Sequence, residues 1–254
     1  FLLPSVLSDR SEGFATGLQG SAVMGVGQFC TNPGVVIHEK GDAGDAFKSA
    51  YAELMSQAPA SAMLHSGIRD AYGEGVTARS GSTNVEVLTD ASERRGTGGC
   101  EASTSVFATD ARSYLADASL ADEVFGPSTL LVGCEDREEM LEIAGGLEGQ
   151  LTASIFGEPE ELAEHQDLVD VLETKVGRLL FNQFPTGVEV CHSMVHGGPY
   201  PATTDGRSTS VGTGAILRFA RPVCYQGFPP ERLPQELKDE NPLGIKRVVD
   251  GDRG

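Results

Sequence analysis

Apolar residues recur at helical spacing from about Ser11 to Val26, where Phe14, Leu18, Ala22 and Val23 share one face. Gly13, Gly17 and Gly20 lower the intrinsic helix propensity of that stretch, which predicts a helix packed closely against other backbone. Val35-Val36-Ile37-His38-Glu39 reads as a buried strand. A turn at 41–45 leads into a helix with Asp45 as the candidate N-cap and Phe47, Tyr51, Leu54 and Met55 on one face. A second helix is predicted after Pro59, using Met63, Leu64 and Ile68. Strands are predicted at 85–88 and 105–108, flanking a Gly-rich link at 96–99, and at 130–133, 153–157 and 178–182. Between the last three lie an acidic helix over 136–148 and a helix from Pro159 to about Lys175. Strands alternating with helices imply an α/β fold, a layered α/β/α sandwich with a mostly parallel sheet.

The pattern changes near residue 185. From Pro185 to Gly214 the chain is rich in Gly, Pro, Ser and Thr and shows little periodicity, the mark of a functional or clamped irregular segment. Ile216 to Val223 then reads as a strand ended by Pro222, and a lone strand needs an edge to pair with. The expected edge belongs to another subunit or to a further domain, which makes 216–223 a candidate oligomerisation strand. The division expected is 1–197 and 198–254.

Composition narrows the function classes. With 254 residues and 39% apolar content the chain can bury a sizeable core. No apolar run approaches the roughly 20 residues of a membrane-spanning helix. A net charge of −18 disfavours nucleic acid and anionic membranes as partners. The five cysteines (30, 100, 134, 191 and 224) are scattered and never form C-x-x-C, which fits a reducing cytoplasm and argues against a disulfide framework or a thiolate zinc site. The chain opens without Met on Phe1-Leu2-Leu3-Pro4, so it is expected to be the C-terminal part of a longer protein.

Cys30 is the first candidate for chemistry. It lies in Gly27-Gln28-Phe29-Cys30-Thr31-Asn32-Pro33-Gly34, where the helical run breaks before a strand. A thiol on such a bend can be presented as a nucleophile, with backbone N–H groups beside it for a developing oxyanion. Free cysteines more often fill space, so a buried, inert role stays open. Asp122-Glu123-Val124-Phe125-Gly126-Pro127 is the second: Glu123 could accept hydrogen bonds from sugar hydroxyls and Phe125 could stack on a planar ring. The plainer reading is a charged residue before a strand-entry turn. His192 and His196 are spaced i, i+4, but the Gly-Gly-Pro that follows is no helix and supplies no further ligand, so metal binding is not expected. Gly25-Val26-Gly27 lacks the strand and the third glycine of a dinucleotide fingerprint.

Together these motifs resemble the aldehyde dehydrogenase superfamily. Gly27 to Gly34 is similar to its catalytic-cysteine motif, and Glu123-Val124-Phe125-Gly126-Pro127 to its E-x-F-G-P motif, in the expected order. Phe1 to Pro4, Asn182 to Tyr200 and Arg221 to Gln226 are similar to the α-ketoglutaric semialdehyde (2,5-dioxovalerate) dehydrogenase branch. The resemblance implies Cys30 as the nucleophile that forms a thiohemiacetal and then a thioester. It implies Glu123 on the nicotinamide-side ribose, Phe125 beside the nicotinamide ring, and NADP (or NAD) as cofactor. It further implies an aldehyde substrate, assembly into dimers or tetramers, and a cofactor-binding N-terminal half, with the family's general-base glutamate, that precede Phe1. A chain of this content alone is expected not to turn over. Two alternatives remain: a folding or oligomerisation module with an inert Cys30, and a cysteine hydrolase, which would need His192 or His196 beside the thiol. Arg178 and Arg207 are the cations available for a distal substrate carboxylate.

Overall fold

A computed structural model describes residues 1–89 and 99–253. The Gly-rich link predicted at 96–99 lies, but for Gly99, outside them. Two compact units are present, Phe1–Arg218 and Phe219–Gly254, so residues 198–218 belong with the first.

The heart of the first unit is β6 (Ser128–Cys134), buried at every position because both of its faces are covered. β1 (Val35–Glu39) and β5 (Ser105–Asp110) flank it in parallel, and β3 (Glu86–Thr89) adds an antiparallel edge to β5. Among the described residues the order is β1-β6-β5-β3. A second parallel pair, β7 (Gln150–Ile155) and β8 (Val176–Phe181), is joined to β1 by the first residues of the chain. Leu2 N–H donates to the Ile37 carbonyl at 2.9 Å, and Leu3 N–H to the Phe156 carbonyl at 2.8 Å. Leu2 bridges both edges in parallel, so the two sheets run on as one. Leu2 and Leu3 are both buried, and each fully buried leucine side chain contributes about 1.5–3 kcal/mol to this junction.

Alternation along the strands sends side chains into two cores. Val36, Val106 and Leu131 point to a layer built by α1 (Pro4–Asp9), α2 (Ser11–Val23) and α3 (Asp42–Gln57), with Phe14, Leu18, Phe47, Tyr51 and Met55. Ile37, Phe107, Leu130 and Val132 point to the opposite layer. That layer draws on α4 (Ser66–Ser80), α5 (Ala111–Ala116), α6 (Arg137–Gly146) and, beyond α7 (Pro159–Glu164), α8 (Gln166–Glu173). This is the α/β/α sandwich expected, with a sheet parallel except for β3.

Local differences have physical causes. Of the three glycines in α2, Gly17 alone meets a neighbour: the ring of Phe184, stacked 5.5 Å from Phe14, occupies the space of its missing side chain. α3 starts at Asp42 after Gly41, and Asp45 sits inside the first turn, where its negative charge still favours the helix N-terminus. The helix predicted from Pro59 begins only at Ser66, capped by His65, whose Nδ1 accepts from the Ile68 N–H. Before it, β2 (Ser61–Ala62) pairs with β4 (Glu101–Ala102), and Met63 N–H donates to the Cys100 carbonyl, so Met63 is buried from an extended segment and Leu64 is left exposed. The helix predicted from Pro159 to Lys175 breaks at His165 into α7 and α8.

The strand predicted at 216–223 does not form. Thr213–Phe219 is a 3₁₀ helix, and 220–223 has no regular structure. With no described strand edge to pair with, the backbone closes local bonds instead, Ala215 N–H donating to the Gly212 carbonyl at 3.1 Å. Ile216 and Leu217 are left exposed. The second unit carries a small antiparallel pair, β9 (Val248–Val249) and β10 (Asp252–Arg253).

Candidate active site

Cys30 sits on a turn that its own residues would not choose. α2 ends at Val23, and Gly25, Val26 and Gly27 then take left-handed φ values of 56°, 58° and 67°. For a β-branched valine such a conformation costs about 1–3 kcal/mol, so tertiary contacts must hold it. Gly27 supplies the closest of these. A Cβ there would lie 2.2 Å from the carbonyl carbon of Gly126, so the backbone of the cysteine loop rests directly on the Glu123–Pro127 loop. Asn32 Nδ2 donates to the Gly126 carbonyl at 3.1 Å, and Thr31 Oγ1 to the Pro185 carbonyl at 2.9 Å. Thr31 and Asn32 thus clamp Cys30 from its C-terminal side while Gly27 clamps it from the other. The Cys30 thiol is exposed, and its backbone N–H has no acceptor among the described residues.

The Glu123–Pro127 loop is held in turn by Tyr72 of α4. Its ring fills the space beside Gly126, and its hydroxyl donates to the Ser103 carbonyl at 2.8 Å, with Ser105 Oγ and the Pro127 carbonyl both at 3.3 Å. Tyr72→Phe is therefore expected to destabilise the chain by about 1–3 kcal/mol, because buried hydrogen bonds are lost without replacement. An unchanged urea midpoint would show that the hydroxyl is dispensable.

Cys30, Glu123 and Phe125 line one cleft of about 790 Å³. Glu123 is exposed and makes no ion pair or hydrogen bond among the described residues, and Phe125 is half-buried beside it. A free carboxylate and a ring face are a donor set suited to hydroxyls and a planar heterocycle.

The two histidines part company. His192 Nδ1 lies 2.9 Å from Thr213 Oγ1, whereas His196 Nε2 lies 3.1 Å from Cys30 Sγ. Neither stands on a helix, and the i, i+4 spacing has no helical meaning here. His196 is held by its backbone. Its N–H donates to Thr209 Oγ1 at 2.8 Å, its carbonyl accepts from Ser210 N–H at 3.0 Å, and the Gly197-Gly198 backbone that follows packs against Gly177 of β8 too closely to admit a side chain at Gly177. Burial, and then the charge of Arg178, push the His196 imidazole below its usual value, which favours the neutral form. Its Nδ1 is buried without a partner among the described residues, which supply no third, orienting member of a Cys-His-carboxylate triad.

Arg178 brings positive charge toward Cys30, and its two terminal nitrogens donate to the carbonyls of Pro185 at 2.7 Å and Gly187 at 3.1 Å. The Pro185 carbonyl also accepts from Thr31, so Arg178 ties the irregular segment to the cysteine loop. Arg207 is exposed and faces Asp205 at 3.7 Å. Cys134, by contrast, lies buried in β6, where burial pushes its thiol up to about 12.

No family model matches the chain. α-Ketoglutaric semialdehyde dehydrogenase 2 of Azospirillum brasilense is 44% identical over 250 residues, which is 98% of this chain and 47% of that protein. The α-ketoglutaric semialdehyde dehydrogenase of Acinetobacter baylyi is 41% identical over 251 residues, again 98% and 47%. The chain thus spans about half the length of the curated relatives it matches. Among solved structures, the Δ-pyrroline-5-carboxylate dehydrogenase of Mycobacterium tuberculosis bound with NAD superposes with a TM-score of 0.65 at 17% identity, over 89% of this chain and 43% of that one. The methylmalonate-semialdehyde dehydrogenase of Oceanimonas doudoroffii gives 0.64 at 18%, over 82% and 43%. Nearly the whole chain is thus similar in sequence to about half of each of the two α-ketoglutaric semialdehyde dehydrogenases, and its fold is that of the matching part of the solved dehydrogenases.

Proposed function

We propose that this chain supplies the nucleophile of an NAD(P)-dependent aldehyde dehydrogenase that converts α-ketoglutaric semialdehyde to 2-oxoglutarate, with Cys30 as that nucleophile. The observation that carries the reading is the exposed Cys30 thiol, held on a clamped turn and sharing one cleft with Glu123 and Phe125. The relatives named for that semialdehyde supply the substrate class.

Cys30 Sγ would attack the aldehyde carbon to give a thiohemiacetal, and the Cys30 N–H, which has no acceptor among the described residues, would be available to steady the oxygen as charge develops on it. A nicotinamide cofactor, when bound, would supply the hydride acceptor, and the thioester then left on Cys30 would be cleaved by water to the acid. Glu123 would hold the ribose on the nicotinamide side through its uncommitted carboxylate, and Phe125 would orient the ring. These residues suit only one end of the cofactor. The remainder, and the family's general-base glutamate, belong in this reading to a preceding half of the protein. The positive charge of Arg178 near Cys30 favours a substrate bearing a carboxylate. Assembly into a dimer or tetramer would cover the exposed Ile216 and Leu217.

The test is NADP- and NAD-dependent oxidation of α-ketoglutaric semialdehyde by the chain alone and with the N-terminal half supplied separately. Activity is expected only in the mixture, since positioning of cofactor and base contributes many powers of ten to rate. Robust oxidation by the isolated chain would contradict the division of labour. Activity in neither, with both halves folded and associated, would contradict the substrate assignment.

A further inference from the structure

Cys30 Sγ and His196 Nε2 lie 3.1 Å apart although 166 positions separate them in sequence, and the backbone around His196 is fixed by Thr209, Ser210 and Gly177. A contact built from two such distant, separately clamped segments is not a by-product of local folding. We infer that His196 is the proton acceptor for the Cys30 thiol, a catalytic residue that this chain contributes in addition to the nucleophile. This deepens the reading of Cys30 as the nucleophile and rests on it.

Proton bookkeeping is simple. As the Sγ–C bond forms, the thiol proton passes to His196 Nε2 and the carbonyl π pair moves onto oxygen. When water later cleaves the thioester, its hydroxyl joins the acyl carbon, its remaining proton passes to solvent or to the general base, and the departing thiolate takes the first proton back from His196. The hydride goes to the nicotinamide cofactor, so no other oxidant is needed.

Charge around the imidazole sets its resting form. Among the described residues, Cys30 from the cysteine loop and Arg178 from β8 are the titratable and charged groups that face it. Burial and Arg178 both disfavour the imidazolium, so His196 is neutral at neutral pH and free to accept a proton. An imidazolium, once formed, opposes the thiolate charge and stays beside it. Nδ1 is buried and unpartnered among the described residues, where Cys30 is the side-chain partner of the ring.

The pairing can be read without aldehyde or cofactor, from the pH dependence of Cys30 alkylation by iodoacetamide, with the labelled residue identified by mass spectrometry. An ordinary thiol is only a few per cent ionised at pH 7, so an accepting base can raise its reactivity by up to roughly thirtyfold. The intact chain is expected to label Cys30 about tenfold faster than His196→Asn at pH 7. The excess should fade below the imidazole's lowered titration range, where His196 is already protonated, and above about pH 8.5, where a thiol ionises unaided. His192→Asn, which touches Thr213 and not the thiol, should match the parent chain. Superimposable profiles for the parent and a folded His196→Asn would overturn the inference. Should that variant misfold, the parent chain decides: the NMR titration midpoint of the His196 ring must move when Cys30 is alkylated while that of His192 does not, and an unmoved His196 midpoint would overturn it. Failure of aldehyde oxidation in the two-half mixture, with this pH window intact, would strike the substrate reading and leave the pair standing.

Discussion

Cys30→Ser is expected to lower aldehyde oxidation in the two-half mixture by at least about 10³-fold, with the thermal unfolding of the chain little changed. Thiolate is intrinsically far more nucleophilic than a neutral hydroxyl, and loss of a nucleophile from an assembled site costs orders of magnitude in rate. The side chain is exposed, so the isosteric change opens no cavity and unpairs no buried group. Cys224→Ser, at the other exposed thiol, serves as the control and should leave the rate unchanged. A Cys30→Ser variant that kept more than a tenth of the parent rate would remove Cys30 from the mechanism and favour an inert fragment. Mass spectrometry of the chain incubated with aldehyde gives an independent reading, since the adduct mass should disappear with the thiol.

Gly27→Ala should cost about 2–5 kcal/mol, combining a left-handed conformation that alanine disfavours with an overpacked contact. The clash is with backbone, at 2.2 Å from the Gly126 carbonyl carbon, and no side chain can swing away to relieve it. For a chain of this size each kcal/mol moves Tm by about 2–4 °C, so a fall of roughly 5–20 °C is expected. Activity should fall too, because the cysteine loop can yield only by leaving the Glu123–Pro127 loop, which separates Cys30 from Glu123 and Phe125. Gly13→Ala is the contrast. That glycine lies in α2 with nothing within 4 Å of a Cβ, and alanine there should stabilise by about 0.5–1 kcal/mol. Equal effects at the two positions would show that Gly27 is not tightly placed.

Both variants turn on the same structural fact, that the turn carrying Cys30 is imposed by its neighbours. Val26 at a φ of 58° makes the point again. No local propensity would select that conformation, and no reading of residues 24–30 alone could have placed the thiol.

What the sequence by itself determined follows from short-range periodicity. The strands β1, β3, β5, β6, β7 and β8 and the helices α2, α3 and α6 were legible because a period of two or of about 3.6 is written into consecutive residues, whereas α5 was not foreseen. The irregular character of 185–214 was legible for the same reason, while the order of the Cys30 and Glu123–Pro127 motifs was legible only through the resemblance to a known family. Boundaries that depend on capping or on a distant partner were not: α4 waits for His65 to cap it because 61–62 are drawn into β2, and 216–223 lacks the edge its pattern calls for. Only the tertiary structure decided that Gly27 rests on Gly126, that Arg178 spends its hydrogen bonds on Pro185 and Gly187, and that His196 stands beside Cys30 while His192 does not. The physical reason is range: a helix or strand is selected by neighbours a few residues away, but a thiol and an imidazole 166 residues apart meet only where two packed layers bring their loops to one end of the sheet.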